Sequence, residues 1–381
     1  MDTNQQIKNA LEELNANPVF HMSLASKELF HSNFLYWLWK LDAKMFLTLL
    51  DKLSEDKSSE CKDYFCKKDP KTIEVKREYQ HFDLCVLEKD TNKVLLVIEN
   101  KVKSIPYVEQ LNEYTNKLDG DCKKVLLTLM QKFPDKNNIS GWEIKHYNDL
   151  AVAIKESYVD TEYQTFIDEY IKFISILHNL STSWNPDNVL ITKQTIYKVF
   201  ENLRLHDLFG KLFFSRVAAE LKKNLVEQGV DLSNISVSSS YSDQMPLFDV
   251  TIRNVIDTKT EFIIQVQGTS YRHAVARRDI FYADLCNEMN TNDAVQKMWW
   301  PDGYFIQKQR KGNLGYNKFE LKSVKGCFIY KYITLVNSST GCNNEVAADI
   351  DKLIEYIVNE VNAIYQWKQE MQNKKLIPPH L

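Results

Sequence analysis

The chain has 381 residues, enough for two domains, and its 48 Lys+Arg against 51 Asp+Glu leave a net charge of −3. That balance excludes a passive nucleic-acid coat, which needs a basic excess; any nucleic-acid contact must come from a local patch. Hydrophobic content of 44% with only 10 Gly and 9 Pro is that of a globular chain without long disordered linkers.

Residues 5 to 17 carry the pattern of a short amphipathic helix. From Leu24 to Leu50 the chain is strongly apolar and aromatic (Phe30, Phe34, Leu35, Trp37, Leu38, Phe46, Leu47), a spacing that predicts one or two buried helices. Residues 51 to 70 read as a loop with a helical turn. Three strands are predicted next: Ile73 to Glu78, Phe82 to Leu87 and Val94 to Ile98, the last two joined by the polar hairpin signal Lys89-Asp90-Thr91-Asn92-Lys93. After Pro106 the period becomes helical through Tyr107, Leu111, Tyr114 and Leu118. Strands at Lys123 to Met130 and Trp142 to Tyr147 follow, then a helix capped by Asn148 or Asp149 and a longer one over 160 to 180.

Ser181 to Pro186 marks the boundary between residues 1–180 and 186–381. Beyond it the pattern predicts helices over 188 to 228, strands near 234 to 238, 247 to 253 and 261 to 267, and a closing helix over 344 to 370. Phe248-Asp249 followed by Gln265-Val266-Gln267 echoes the spacing of the first strand block, either as a duplicated unit without its charges or as one more hairpin. Arg272, His273, Arg277 and Arg278, and Lys308, Arg310 and Lys311 near Trp299, Trp300, Tyr304 and Tyr316, form two basic and aromatic clusters. Such clusters can hold a nucleic-acid strand, although solvated loops over core aromatics explain them as well.

Seven scattered cysteines, Cys61, Cys66, Cys85, Cys122, Cys286, Cys327 and Cys342, form no CxxC pair. Neither zinc nor a disulfide framework is expected, and reduced thiols in a cytoplasm are the simplest reading. The first residues are polar with no apolar leader, and no stretch reaches the length of a membrane span, so a soluble cytoplasmic protein without a membrane partner is expected.

The chemistry concentrates in Glu78-Tyr79-Gln80-His81-Phe82-Asp83 and Ile98-Glu99-Asn100-Lys101. Residues i and i+2 of a strand leave the sheet on one face, so Glu99 and Lys101 point together with Asn100 turned away. If the two strands pair, Asp83 joins them. Two carboxylates and an ammonium make a poor core and a good divalent-cation site for phosphodiester cleavage. Asp83 and Glu99 would bind Mg²⁺, with Mn²⁺ as a substitute, the carbonyl of Asn100 could add an oxygen, and Lys101 would orient the attacking water. Gln110 and Tyr114, four apart on the next helix, share a face and could reach a phosphate oxygen or that water, although Tyr114 also lies on the apolar stripe. His81 is a possible neighbour of the phosphate. Glu78 faces either the site or the other side of its strand, depending on the turn after it.

Asp83, Glu99-Asn100-Lys101 and Gln110-x-x-x-Tyr114 resemble the PD-(D/E)XK nuclease superfamily, the last of them its RecB-like QxxxY element. Glu28 to Leu38 is similar to the first-helix signature of one bacterial branch. The resemblance implies a restriction-endonuclease-like αβββαβ core, a mixed sheet flanked by helices, followed by a C-terminal α/β region that could bind substrate or a partner. It implies a metal-dependent nuclease acting on nucleic acid, DNA above all; restriction, defence and repair all use this chemistry, and the sequence does not name the pathway. It places Glu28 as a supporting acid at the metal, with His31 nearby as a core partner rather than a base. Phe82 stands where many members carry proline. The rival reading is a silent binding module, for nucleic acid or protein, on the same scaffold. Sequence alone leaves DNA or RNA, endo or exo action, sequence preference, the role of the C-terminal half and oligomeric state open.

Overall fold

The computed structural model describes residues 3–23, 28–54, 63–102, 104, 108–131, 139, 141–186, 195–242, 245–268, 270–300, 325–334 and 349–377. They divide into two compact units, Met1–Trp184 with Thr195–Leu212, and Asn185–Gln194 with Phe213–Leu381.

The first unit opens with helices α1 (Thr3–Ala16), α2 (Pro18–Met22), α3 (Glu28–Leu41) and α4 (Ala43–Leu53). Asn17 caps α2 by accepting from the Phe20 amide, and Asp42 caps α4 by accepting from the Met45 amide. Then come β1 (Ile73–Tyr79), β2 (Phe82–Glu88), β3 (Val94–Lys101), α5 (Val108–Thr115), β4 (Lys123–Thr128), β5 (Trp142–His146), α6 (Tyr147–Ser157), α7 (Gln164–Ser183) and α8 (Thr195–Asn202). α9 (His206–Glu227) begins in this unit.

The five strands lie in the order β1-β2-β3-β4-β5. β1, β2 and β3 pair antiparallel, whereas β3, β4 and β5 pair parallel. β3 is therefore the strand where the sheet changes sense, and α5 is the crossover that the parallel β3–β4 pair requires. Leu84, Val86, Leu96 and Ile98 are fully buried on the face covered by α3, while Cys85, Leu87, Val97 and Leu126 pack with Leu111 and Tyr114 of α5 on the other. Trp142 ties α5 down, its indole N–H donating to the Leu111 carbonyl at 3.1 Å and to Thr115 at 2.9 Å. The result is an α/β unit with a mixed sheet between helices, the expected restriction-endonuclease-like core.

The second unit contains β6 (Ile235–Ser242), β7 (Met245–Ile252), β8 (Thr260–Gln267), β9 (Ser270–Phe281), α10 (Tyr282–Thr291), α11 (Asp293–Trp299), β10 (Lys325–Thr334) and α12 (Ile350–Asn373). All five strands form an antiparallel meander, order β10-β9-β8-β7-β6. Asp249 does lie opposite Gln265, and the two side chains bond at 3.0 Å. β9 then returns antiparallel with no helix between, so the echo of the first block is a hairpin within a meander. The Arg272–Arg277 cluster is not a loop but strand β9. Arg277 pairs with Glu288 at 2.8 Å, Arg272 donates to Gln265, and His273 is buried against Trp299 and bonded to Glu360. Lys308, Arg310, Lys311, Tyr304 and Tyr316 lie outside the described residues. Strands β9 and β10 were not marked in the sequence analysis; in β9 the charges of Arg272, His273 and Arg277 read as surface, whereas Gln265, Glu360 and Glu288 accommodate them.

Candidate nuclease site

The site stands at the C-terminal end of β3, and the topology accounts for its assembly. In an antiparallel pair the start of β2 lies beside the end of β3. The printed register pairs Leu84 with Ile98, and one step further sets Asp83 opposite Glu99. Opposed residues share a face, so both carboxylates and Lys101 project toward α5. The Lys101 ammonium lies 2.8 Å from Glu99 Oε1. Glu99 is only 3% exposed, and its Oε2 is buried without a hydrogen-bond partner among the described residues. Asp83 Oδ2 accepts from the backbone amide of Asn100 at 2.7 Å, so the residue between the two charged ones holds the third in place.

Burial pushes the Glu99 carboxyl up to about 7, and the neighbouring Asp83 adds to this, while Lys101 opposes it. Asp83 is also raised, again first by burial, then by Glu28 and Glu78, against the Asn100 amide and Lys101. Lys101 loses hydration by burial, yet its ammonium form is held by Glu99, Glu28 and Asp83, and its pKa rises. The side chains of Glu28, Asp83, Glu99 and Lys101 thus feel one another in a partly dehydrated recess, three acids to one cation among the described residues.

Glu28 is the first residue of α3. Its Oε1 accepts from the Ser104 amide at 2.9 Å and the Ser104 hydroxyl at 2.5 Å. Four residues on, Ser32 accepts from the Asn100 side-chain amide at 2.7 Å, while Tyr147 donates to the Asn100 carbonyl oxygen at 3.3 Å. The Asn100 side chain is therefore committed to the α3 and α6 face, away from the acids. The expected carbonyl oxygen of Asn100 did not distinguish side chain from backbone; the side-chain oxygen accepts from Tyr147 on the far face, which leaves the backbone oxygen as the candidate. The Ser32 contact went unrecognised in the sequence; the i, i+4 spacing of Glu28 and Ser32 was the available signal.

Gln110 donates to the Tyr114 hydroxyl at 2.9 Å, and that hydroxyl donates to the His81 carbonyl at 3.3 Å. Tyr114 packs on Phe82 with ring centroids 4.9 Å apart. It is both a core tyrosine and a neighbour of the site. Burial raises its pKa first, and the charge of Glu99 second. His31 is fully buried, bonded to Tyr170 at 2.9 Å, and burial lowers it to about 3, so it is a neutral core residue. Glu78 lies opposite Asp83 in the β1–β2 register and adds its charge to that residue's surroundings.

Residues 18–181 match the family model of the PD-(D/E)XK nuclease superfamily. Over this stretch the chain is similar to that superfamily. The match spans α2 through α7 and contains every residue of the site just described. No curated protein and no solved structure matches the chain. Among the described residues no helix is long and apolar enough to cross a membrane.

Divalent cations are the expected cofactors of such a unit. Among the described residues no three His, Cys, Asp or Glu side chains converge into a cage. A cage is not what Mg²⁺ requires: it keeps several waters and takes one or two carboxylates. The oxygen donors of Asp83 and Glu99, with one Glu99 oxygen buried and unpartnered among the described residues, fit that demand.

Proposed function

We propose that the chain is a metal-dependent nuclease that hydrolyses phosphodiester bonds in DNA, with residues 1–180 doing the chemistry and 186–381 engaging substrate or a partner. The observation that carries the reading is the buried Glu99 carboxylate: one oxygen on Lys101, the other without a partner among the described residues, opposite a second acid. An ionised group so placed is costly unless a cation compensates it. Asp83 and Glu99 would hold Mg²⁺ or Mn²⁺, which neutralises the scissile phosphate and favours ionisation of water. The backbone carbonyl of Asn100 is an additional oxygen at the strand end, and Glu28 supports the acids from α3.

The protein's own groups divide the rest of the work. Lys101, kept protonated by its three acidic neighbours, orients the attacking water and stabilises charge that grows on the phosphoryl oxygens. The Asn100 amide keeps Asp83 from turning away. Gln110 and Tyr114 approach from α5, where the phenol can bind a non-bridging oxygen once substrate displaces it from the His81 carbonyl. A cytoplasmic location agrees with the free thiols of Cys66, Cys85, Cys122 and Cys286.

The test is to incubate the purified chain with linear, circular and single-stranded DNA and with RNA, under Mg²⁺, Mn²⁺ or chelator, beside Lys101→Ala. Metal-dependent cleavage of DNA, lost by about a thousandfold in the variant, is expected. Cleavage as fast in Lys101→Ala as in the parent refutes the assignment. Chelator-insensitive binding without any product favours a silent module instead.

A further inference from the structure

The hairpin that leads into Asp83 is built from the wrong residues for its shape. Tyr79 pairs with Phe82, which leaves Gln80 and His81 as a two-residue turn. Both have left-handed backbones, φ +53° and +73°, and Glu78, separated from them by Tyr79, has φ +52°. A turn with two positive φ values suits Asn-Gly, because a Cβ on an ordinary side chain crowds the backbone there. The described residues hold eight non-glycine positions with positive φ, and no other stretch gathers three of them. Strain kept in one place against an easy alternative points to side chains that are needed there.

What those side chains could do follows from where the turn is held. The Tyr114 hydroxyl donates to the His81 carbonyl at 3.3 Å, and Gln110 donates to Tyr114, so α5 fastens the tip beside the acids. Asp83 follows two residues later. Both Gln80 and His81 are exposed, and neither is an acid. The basic groups upstream are already engaged. Lys76 lies 3.0 Å from Glu74, and Arg77 bonds Asn33 and rests over the Tyr36 ring. Among the described residues of the tip, the Gln80 amide and the His81 imidazole are exposed hydrogen-bond donors.

We propose that Gln80 and His81 grip the substrate: their side chains donate to the sugar–phosphate backbone of nucleic acid beside the bond that Asp83, Glu99 and Lys101 attack. The assignment rests on the nuclease reading. It makes the tip a binding element, not part of the bond-breaking set, and it explains why Asn-Gly does not stand there.

The experiment compares the full-length parent with the double variant Gln80→Asn, His81→Gly and with the single variants Gln80→Ala and His81→Ala. Melting temperature and steady-state cleavage of a labelled DNA oligonucleotide under Mg²⁺ are read for each. Relief of strain should raise the melting temperature of the Asn-Gly variant by a few degrees. Its KM should rise about tenfold, the worth of a charge-assisted contact, with kcat within about twofold of the parent. The alanine variants should raise KM without a gain in melting temperature. An Asn-Gly variant that melts higher but keeps the parental KM overturns the proposal, as does one that melts no higher than the parent. A loss confined to kcat overturns it too, because the turn would then serve only to place Asp83. A parent that cleaves no nucleic acid ends the nuclease reading itself, and that outcome is seen before any variant is compared.

Discussion

Glu99→Gln should make the metal-free protein more stable at neutral and alkaline pH, although it removes a charge that pairs with Lys101. In the unfolded chain the carboxyl gives up its proton near 4.5, and in the fold it does so only at about 7. Below the lower value both states keep the proton, and the residue costs nothing. Between the two values the folded state resists ionisation and stability falls as pH rises. Above 7 the deficit is constant. At 1.36 kcal/mol per unit it amounts to about 3 kcal/mol. The attraction of Lys101 and the repulsion of Asp83 already act on that ionisation, so the neutral, isosteric glutamine recovers most of the deficit. The assay is denaturant unfolding of parent and variant in chelator at pH 4 and pH 8. The curves should coincide at the first pH and separate at the second, the variant ahead. Saturating Mg²⁺ should then raise the parent more than the variant and narrow the gap, because a bound cation stabilises only the state that binds it. A variant no more stable than the parent at pH 8 in chelator would refute the view that Glu99 is a destabilising acid awaiting a cation.

Asp83→Asn should weaken Mn²⁺ binding, measured by calorimetry, by about tenfold or more, since it removes one of two charged oxygen donors; unchanged binding would exclude Asp83 as a ligand. Asn100→Ala should destabilise the fold by about 2 kcal/mol at neutral pH, measured by denaturant unfolding, because it strips a fully buried amide from Ser32 and Tyr147. A change within about 0.5 kcal/mol would show that those two contacts contribute little.

Much of the nuclease unit could be read from the chain because its signals are local. The aliphatic run Val94 to Ile98 names a strand, and the i, i+2 rule turns Glu99 and Lys101 to one face while Asn100 takes the other. The hairpin between β2 and β3 then brings Asp83 opposite Glu99 by counting alone. What escaped was contact between parts distant in sequence. Ser104 on Glu28, Ser32 and Tyr147 on Asn100, and the Tyr114 hydroxyl on the His81 carbonyl join residues that only tertiary packing brings together. The facing of Glu78 was undecided for a different reason. It depended on a two-residue turn made without glycine or asparagine, the residues that normally announce one.

The place of the acids follows from the sheet rather than from their own chemistry. Three elements must end at one point for Asp83, Glu99 and α5 to meet. An antiparallel neighbour begins where β3 ends, which supplies Asp83; a parallel neighbour forces the chain over the sheet just after Lys101, which supplies α5. Only a strand with one neighbour of each kind satisfies both conditions, and β3 is that strand in its sheet. Moving the same triplet to the end of β4, which is parallel on both sides, would provide a crossover but no second carboxylate. Placing it at the end of β2 would lose the crossover. The second unit makes the same point from the opposite direction. Asp249 stands opposite Gln265 as Asp83 stands opposite Glu99, yet β8 has antiparallel neighbours on both sides. There the acid is bonded by an amide, and β9 follows β8 directly as its antiparallel neighbour, with no crossover helix between them. The register of two strands is therefore insufficient to build the nuclease arrangement; the change of strand sense at β3 is what converts a pair of facing side chains into a candidate site.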